Sequence, residues 1–71
     1  MSHVYAISEI VGTSDKSLED AIDQAVAVAS QSIRNLDWFQ VSELRGHIKD
    51  GRVAHYQVAL KLGFRYDAKA Q

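Results

Sequence analysis

The segment from Arg52 to Tyr66 alternates, almost without error, between apolar residues and residues that are mostly polar or small. Successive side chains of a β-strand point to opposite faces of its sheet, so this pattern predicts one long strand with a core-facing side and a second side. The core-facing set is Tyr56, Val58, Leu60, Leu62, Phe64 and Tyr66, and the second set is His55, Gln57, Ala59, Lys61, Gly63 and Arg65. Any fold of this chain therefore needs one element that covers the first face.

A strand and a helix are predicted ahead of this segment. Val4 to Val11 is rich in β-branched and aromatic residues, and Gly12-Thr13-Ser14 predicts a turn at its end. Apolar residues at three- and four-residue spacing then predict a helix that begins at about residue 15 or 17, with Ser14 or Ser17 as its cap, and ends at residue 36. The apolar stripe consists of Leu18, Ala21, Ile22, Ala25, Val26, Ala29, Ile33 and Leu36.

A hairpin is predicted after the helix. Asp50-Gly51 separates a strand from Asp37 to Lys49 from the long strand, which extends from Arg52 to Asp67. This dipeptide favours a type I′ turn, which needs positive φ at both central positions. The order β-α-β-β then gives an α+β fold, in which one helix packs on a three-stranded antiparallel sheet of order 1-3-2. The whole chain, residues 1–71, is predicted to be a single domain.

Size and composition limit the classes of function. A chain of 71 residues buries only about 60% of its surface on folding, and without cysteine it has no disulfide to compensate. We therefore expect self-assembly into a homo-oligomer. The absence of cysteine also fits a reducing, cytoplasmic location. No leader and no long apolar run are evident, so no membrane span is expected, and the net charge of −1 does not suggest nucleic acid binding.

The hairpin turn also predicts a register. If Lys49 pairs with Arg52, Trp38 lies opposite Gly63, on the sheet face away from the helix. Gln57 shares that face but lies six residues further along the strand, which is about 20 Å at 3.3 Å per residue. A ligand that touches both Trp38 and Gln57 must therefore lie between subunits.

The same register argues against a metal site. It places Leu44 opposite Gln57, sets His55 beside Gly46, and sends His47 to the other face. A bulge near Gly46 would shift this pairing by one residue. No metal site is predicted.

Five side chains in the second and third predicted strands are candidates for binding. Trp38 is either a stacking platform for a planar heterocycle, worth on the order of 1 kcal/mol beyond buried area, or an aromatic that packs against a neighbouring subunit. The Gln57 amide offers both a donor and an acceptor, which suits the edge of a flavin or a base, although solvated strand glutamines are common. Arg45, Arg65 and Lys61 are potential phosphate partners or ordinary surface charges.

Catalytic groups are scarce. Gly12-Thr13-Ser14 resembles the start of a phosphate-binding loop, but a turn with a cap explains a single glycine as well. Asp37, Glu9 and Glu43 form no recognisable acid-base pair, and no nucleophile is paired with a base. The residues therefore predict a ligand-binding or structural module and not an enzyme.

Five short segments, taken in order, resemble a known family. They are Glu9-Ile10-Val11-Gly12-Thr13-Ser14, Leu36-Asp37-Trp38-Phe39, Arg45-Gly46-His47, His55-Tyr56-Gln57-Val58 and Lys61-Leu62-Gly63-Phe64. Together they resemble the dodecins, which are small flavoproteins of bacteria and archaea. The resemblance covers the chain from about residue 4 to residue 66 and has the same β-α-β-β order.

The resemblance implies a function. Dodecins form hollow dodecamers that hold stacked flavins between tryptophans of symmetry-related subunits, and they store flavin without catalysis. On this basis Trp38 is expected to stack on the flavin, Gln57 to bind its edge, and Arg45 to lie at the flavin site and favour FMN over riboflavin. Riboflavin and FAD stay open as alternative flavins, and Arg65 is expected to bind coenzyme A in a second ligand function. The alternatives are a structural module in which Trp38 only seals subunit contacts, and an enzyme that uses bound flavin or coenzyme A.

Overall fold

The computed structural model describes residues 3–66 and contains one helix and three strands. In chain order they are β1 (Val4–Ser14), α1 (Leu18–Ala29), β2 (Leu36–Lys49) and β3 (Arg52–Tyr66). The strands form one antiparallel sheet in the order β1-β3-β2. The predicted α+β fold is therefore confirmed. Asp67, the predicted last residue of β3, lies outside the described residues.

Strand β1 is longer than predicted, because Gly12-Thr13-Ser14 belongs to the strand and not to a turn. Gly12 pairs with Val58 in the middle of the sheet. A Cβ atom at Gly12 would lie 2.5 Å from the carbonyl oxygen of Ala21 and 2.8 Å from Cβ of Ala25. The glycine is therefore needed because the helix approaches the strand closely at this point.

The start of α1 is capped by the predicted serines together. Ser17 is the N-cap, and its Oγ accepts a hydrogen bond from the Asp20 backbone N–H at 3.0 Å. Ser14 Oγ accepts from the Lys16 N–H at 2.9 Å and donates to Asp20 Oδ2 at 2.6 Å. These hydrogen bonds explain the polar residues before the helix, so the resemblance to a phosphate-binding loop has a simpler cause.

The end of α1 was predicted wrongly, since the helix stops at Ala29 and not at residue 36. Ser30 Oγ donates to the Ala27 carbonyl oxygen at 2.7 Å, and Asn35 has a positive φ of 65° that no continuing helix allows. Ile33 and Leu36 nevertheless pack against the core. Their apolar spacing therefore reflects core contact in a loop and at a strand start, which the periodicity alone does not distinguish from helix.

The core lies between α1 and the two strands β1 and β3. Its buried members are small on the helix and large on the central strand: Ala21, Ala25, Ala29, Val58, Leu60 and Leu62. No Cα atom of the helix lies within 8 Å of a Cα atom of β2. The helix-side residues Phe39, Val41 and Leu44 of β2 consequently remain 49%, 37% and 55% exposed.

The β2–β3 hairpin confirms the predicted turn but corrects the predicted register. Asp50 and Gly51 both have positive φ, at 54° and 76°, and Trp38 lies opposite Gly63 as expected. Between the turn and the Trp38–Gly63 pair, the pairing is shifted by one residue over a short segment. The shift arises because β2 has an extra residue at Ser42 and β3 has one at Ala54. An extra residue reverses the face of every following side chain until a second one restores it.

Two predicted pairings in the shifted segment, Leu44 with Gln57 and Gly46 with His55, and the predicted face of His47 were therefore wrong. Leu44 lies opposite Val58 on the helix side of the sheet. Arg45 occupies the position opposite Gln57 that was predicted for Leu44. His47 lies opposite His55 and not on the other face. The two imidazole rings stack with centroids 5.4 Å apart.

The folded chain is elongated. It measures 53 × 20 × 14 Å, and its radius of gyration is 14.6 Å. A compact domain of this length has a radius of gyration of about 11 Å. One helix on a long sheet leaves much of both faces uncovered, which agrees with the expectation of self-assembly. Among residues 3–66, no helix is both long and apolar enough to cross a membrane.

Candidate functional site

All four predicted site residues lie on the sheet face away from the helix, in two groups. We call the first group the aromatic end, which consists of Tyr5, Trp38, Gly63 and Arg65. The second group, Glu43, Arg45, Gln57 and Ala59, is called the amide end. Trp38 and Gly63 are cross-strand partners, and so are Arg45 and Gln57.

The aromatic end presents an indole that lies across a glycine. A Cβ atom at Gly63 would lie within 2.5 Å of three atoms of the Trp38 ring, Cδ2, Cε2 and Cζ2. The indole therefore fills the space that a side chain at residue 63 would take. Trp38 is 42% exposed, so its ring still presents surface to solvent.

Two contacts hold the aromatic end in place, one between side chains and one between backbone groups. The Tyr5 ring lies against Trp38, with centroids 5.2 Å apart and planes tilted by 59°. Tyr5 pairs with Arg65, whose backbone N–H donates to the Asn35 carbonyl oxygen at 3.1 Å. Sequence reasoning missed Tyr5, because its position beside Trp38 follows only from the register of β1 on β3.

The amide end is organised by one short hydrogen bond. Arg45 Nε donates to Gln57 Oε1 at 2.5 Å. This contact occupies the acceptor side of the amide and leaves its NH₂ group as a donor. Arg45 Nη1 also lies 3.7 Å from Glu43 Oε2, but both side chains are exposed and such a pair is weak. Sequence reasoning missed the Arg45–Gln57 bond because the uniform register placed Leu44 there.

Ser42 lies between the two ends and ties β2 to β1 across β3. Its Oγ is 3.2 Å from Glu9 Oε2 and 3.1 Å from the Ala59 carbonyl oxygen, so its single O–H has two acceptors within hydrogen-bond distance. Ala59 permits this contact because its methyl group does not fill the space above the central strand. Ser42, the extra residue of β2, therefore has a hydrogen-bond partner on β1, the opposite edge strand of the sheet.

The two ends are too far apart for one chain to hold one flat ligand with both. Gln57 and Gly63 are six residues apart on β3, or about 20 Å along the strand. A planar ligand that contacts both Trp38 and Gln57 therefore needs two chains, as the sequence predicted.

Neither end has the chemistry of a metal cluster or a perturbed acid-base pair. Within the described part of the chain, no group of three or more His, Cys, Asp or Glu side chains could hold a metal ion. Among the described carboxyl groups, the one with a clear pKa shift belongs to neither end. Hydrogen bonds from Ser14 and Gln24, together with the charge of Lys16, lower the pKa of Asp20 at the helix start.

With this geometry described, the chain was compared with known proteins. A family model described as Dodecin matches residues 4–67. The chain belongs to the dodecin family. The dodecin of Thermus thermophilus is 49% identical over 67 residues, which cover 94% of this chain and 97% of that protein. The resemblance noted in the sequence is therefore confirmed at the level of the family.

Solved dodecin structures support the same fold. Dodecin from Streptomyces coelicolor is 52% identical, with a TM-score of 0.89 over 94% of this chain and 96% of that one. A more distant relative is the calcium dodecin of Mycobacterium tuberculosis, described as a calcium-chelating antigen with a novel calcium-binding site. It is 28% identical, with a TM-score of 0.77 over 96% of this chain and 97% of that one.

Proposed function

We propose that this chain binds and sequesters flavin, with FMN as the ligand, and does not act as an enzyme. In this proposal twelve copies form a hollow shell, and flavins stack between Trp38 side chains of neighbouring subunits. The observation that carries the proposal is the Trp38 indole, which is fixed across Gly63 and still exposed.

The aromatic end suits an isoalloxazine ring because it is flat, apolar and rigid. Gly63 supports one side of the indole and Tyr5 limits its rotation, so little side-chain entropy is lost when a ligand stacks on it. Each indole–flavin stack contributes about 0.5–1.5 kcal/mol beyond buried area. Two tryptophans from neighbouring subunits would enclose the ligand from both sides.

The amide end of a neighbouring subunit suits the polar parts of FMN. Because Gln57 Oε1 already accepts from Arg45, its NH₂ group can donate to a carbonyl oxygen of the flavin ring. The remaining guanidinium N–H groups of Arg45 can bind the phosphate, which riboflavin lacks. The residues therefore fit FMN better than riboflavin.

The exposed apolar side chains of β2 support assembly. Phe39, Val41 and Leu44 lie on the helix side of the sheet and remain exposed, because the helix packs over β1 and β3 and not over β2. Together with the elongated shape of the chain, they favour burial against other subunits. Assembly would also bring the aromatic end of one chain to the amide end of another, which the proposed site requires.

The test is a titration of FMN with the purified protein, followed by flavin fluorescence. Stacking on tryptophan allows electron transfer to the excited flavin, so saturable quenching is expected. Trp38→Ala should lose it, while the shell persists in size-exclusion chromatography. Phe39→Ala is the matched control, because Phe39 is the next residue on the opposite face and has similar exposure. Phe39→Ala should reduce quenching only to the extent that it disperses the shell, whereas Trp38→Ala should lose quenching with the shell intact.

The outcomes separate the two roles of Trp38. Bright fluorescence of FMN in the presence of assembled wild-type protein would reject the proposal. If Trp38→Ala disperses the shell, Trp38 is an interface residue and the structural alternative is favoured. Arg45→Gln should reduce the preference for FMN over riboflavin, whereas an unchanged preference would remove Arg45 from the phosphate site.

A second ligand function is proposed for Arg65, because it is a cation at the aromatic end and is separate from Arg45. Its guanidinium could bind a phosphate of coenzyme A. Coenzyme A binding, measured by calorimetry, should be lost in Arg65→Gln and retained in Arg45→Gln. Equal loss in both variants would indicate general charge attraction and not a site.

A further inference from the structure

The corrected register creates a pair of histidines that neither flavin binding nor assembly explains. His47 and His55 are direct cross-strand partners near the hairpin turn, on the sheet face away from the helix. Both side chains are exposed, and their ring centroids are 5.4 Å apart with planes inclined by 16°. Only the one-residue shift between the two bulges places both imidazoles on one face.

From this pair we infer a binding site for a divalent transition-metal ion, with Zn²⁺ as the representative ligand. The His47 and His55 imidazoles form a clamp, and water or a second copy of the chain supplies the remaining ligands.

The spacing of the rings agrees with a clamp. Imidazole nitrogen lies 2.0–2.1 Å from Zn²⁺, and the ring centre lies about 1.1 Å further out, so two imidazoles on a tetrahedral ion have centroids about 5.2 Å apart. The observed separation is 5.4 Å. The rings therefore need to turn toward a common point but not to move apart. Exposed side chains can turn in this way without disturbing the core.

The chemistry of the pair selects the class of ion. Imidazole nitrogen is a ligand of Zn²⁺, Cu²⁺ and Ni²⁺, whereas Ca²⁺ requires six or more oxygen ligands. This site is therefore different in kind from a calcium site. His55 also lines an open cleft together with the carboxylates Asp15 and Asp20.

The pair lies close to the amide end without being part of it. His55 is two residues from Gln57 on the same strand face, a distance of about 7 Å. A metal ion held by the pair would thus leave the Arg45–Gln57 hydrogen bond intact. The inference does not depend on the proposed flavin function, because it rests on the register and the ring geometry alone.

The experiment measures Zn²⁺ binding by calorimetry in a His3→Gln background. The chain has three histidines, so this background leaves His47 and His55 as the only imidazoles. The pH is kept where imidazole is mostly unprotonated. The variants His47→Gln and His55→Gln are compared with the background protein. A clamp makes the second contact intramolecular, so either replacement should weaken Zn²⁺ binding about tenfold or more.

Histidine ring signals in NMR provide the second readout. Signals of His47 and His55 should shift together during a Zn²⁺ titration, with a shared saturation point. If either replacement only halves the number of bound ions and leaves the dissociation constant unchanged, the imidazoles bind independently and the inference is wrong. It is equally wrong if Zn²⁺ binding in the background protein is unaffected by both replacements. FMN titrations should be the same in all three proteins.

Discussion

Gly63→Ala is the most informative single change, because it adds one methyl group in the space that the Trp38 ring occupies. The new Cβ would be within 2.5 Å of three indole atoms, whereas carbon atoms in contact are about 3.5–4.0 Å apart. The ring must therefore retreat by about 1 Å or more. Because Trp38 is an exposed side chain and not backbone, it can rotate away, and we expect the free energy of unfolding to fall by less than about 1 kcal/mol.

The effect on flavin binding should be much larger than the effect on folding. A displaced indole loses its stacking geometry, worth about 0.5–1.5 kcal/mol for each tryptophan. In the proposed site two variant subunits contribute, so the loss is about 1–3 kcal/mol, or about 5- to 150-fold in the dissociation constant of FMN. The assay is an FMN fluorescence titration beside chemical denaturation of the same protein.

The lone tryptophan supplies an internal control. Trp38 is the only source of indole emission in the chain, so Gly63→Ala should shift that emission and increase its quenching by acrylamide. In a Trp38→Ala background the added methyl has no ring to displace and should no longer lower stability. Unchanged FMN affinity despite a shifted emission would refute the argument that the ring's position matters. Unchanged emission would refute the contact with Gly63.

Three further substitutions test folding separately from binding. Gly12→Ala places a methyl 2.5 Å from the Ala21 carbonyl oxygen, a backbone atom that cannot rotate away, so chemical denaturation should show a loss of about 1–3 kcal/mol. Gly51→Ala meets no atom within 4 Å, so its cost in the same measurement is the left-handed backbone alone, about 1–2 kcal/mol, with FMN affinity unchanged. The hydroxyl of Ser14 lowers the pKa of Asp20 in the folded chain. The stability that this carboxylate contributes is therefore present above its ordinary pKa of 3.8 and is lost as the pH falls through the lowered pKa of the folded state. Asp20→Asn should flatten the acid limb of the stability–pH curve.

The fold was predictable because its strongest signals are local. The alternation along β3 identifies the central strand and its two faces, and Asp50-Gly51 fixes one end of the hairpin. Those two signals also place Trp38 opposite Gly63, since the one-residue shift is cancelled before that pair is reached. The Trp38–Gly63 pair of the aromatic end could therefore be derived from the sequence without any relative, whereas the place of Tyr5 could not.

Other features depend on tertiary contacts that leave no periodic trace. The end of α1 follows from side-chain hydrogen bonding at Ser30 and from the positive φ of Asn35, while Ile33 continues the apolar spacing beyond the helix. Gly12 looks like a turn residue because the feature that requires it, the Ala21 carbonyl group of the helix, is distant in sequence. Both features could be predicted only if the packing of the helix against the sheet were already known.

The two bulges show how one extra residue on each strand can determine what a face binds. With a uniform register, Leu44 would lie opposite Gln57, and Arg45 would point to the helix side. The extra residue at Ser42 places Leu44 on the helix side opposite Val58, and it brings Arg45 within hydrogen-bond distance of Gln57. Because the extra residue at Ala54 then restores the register, the reversal is confined to one short segment. The amide end and the histidine pair both lie in that segment, so both depend on the same local irregularity.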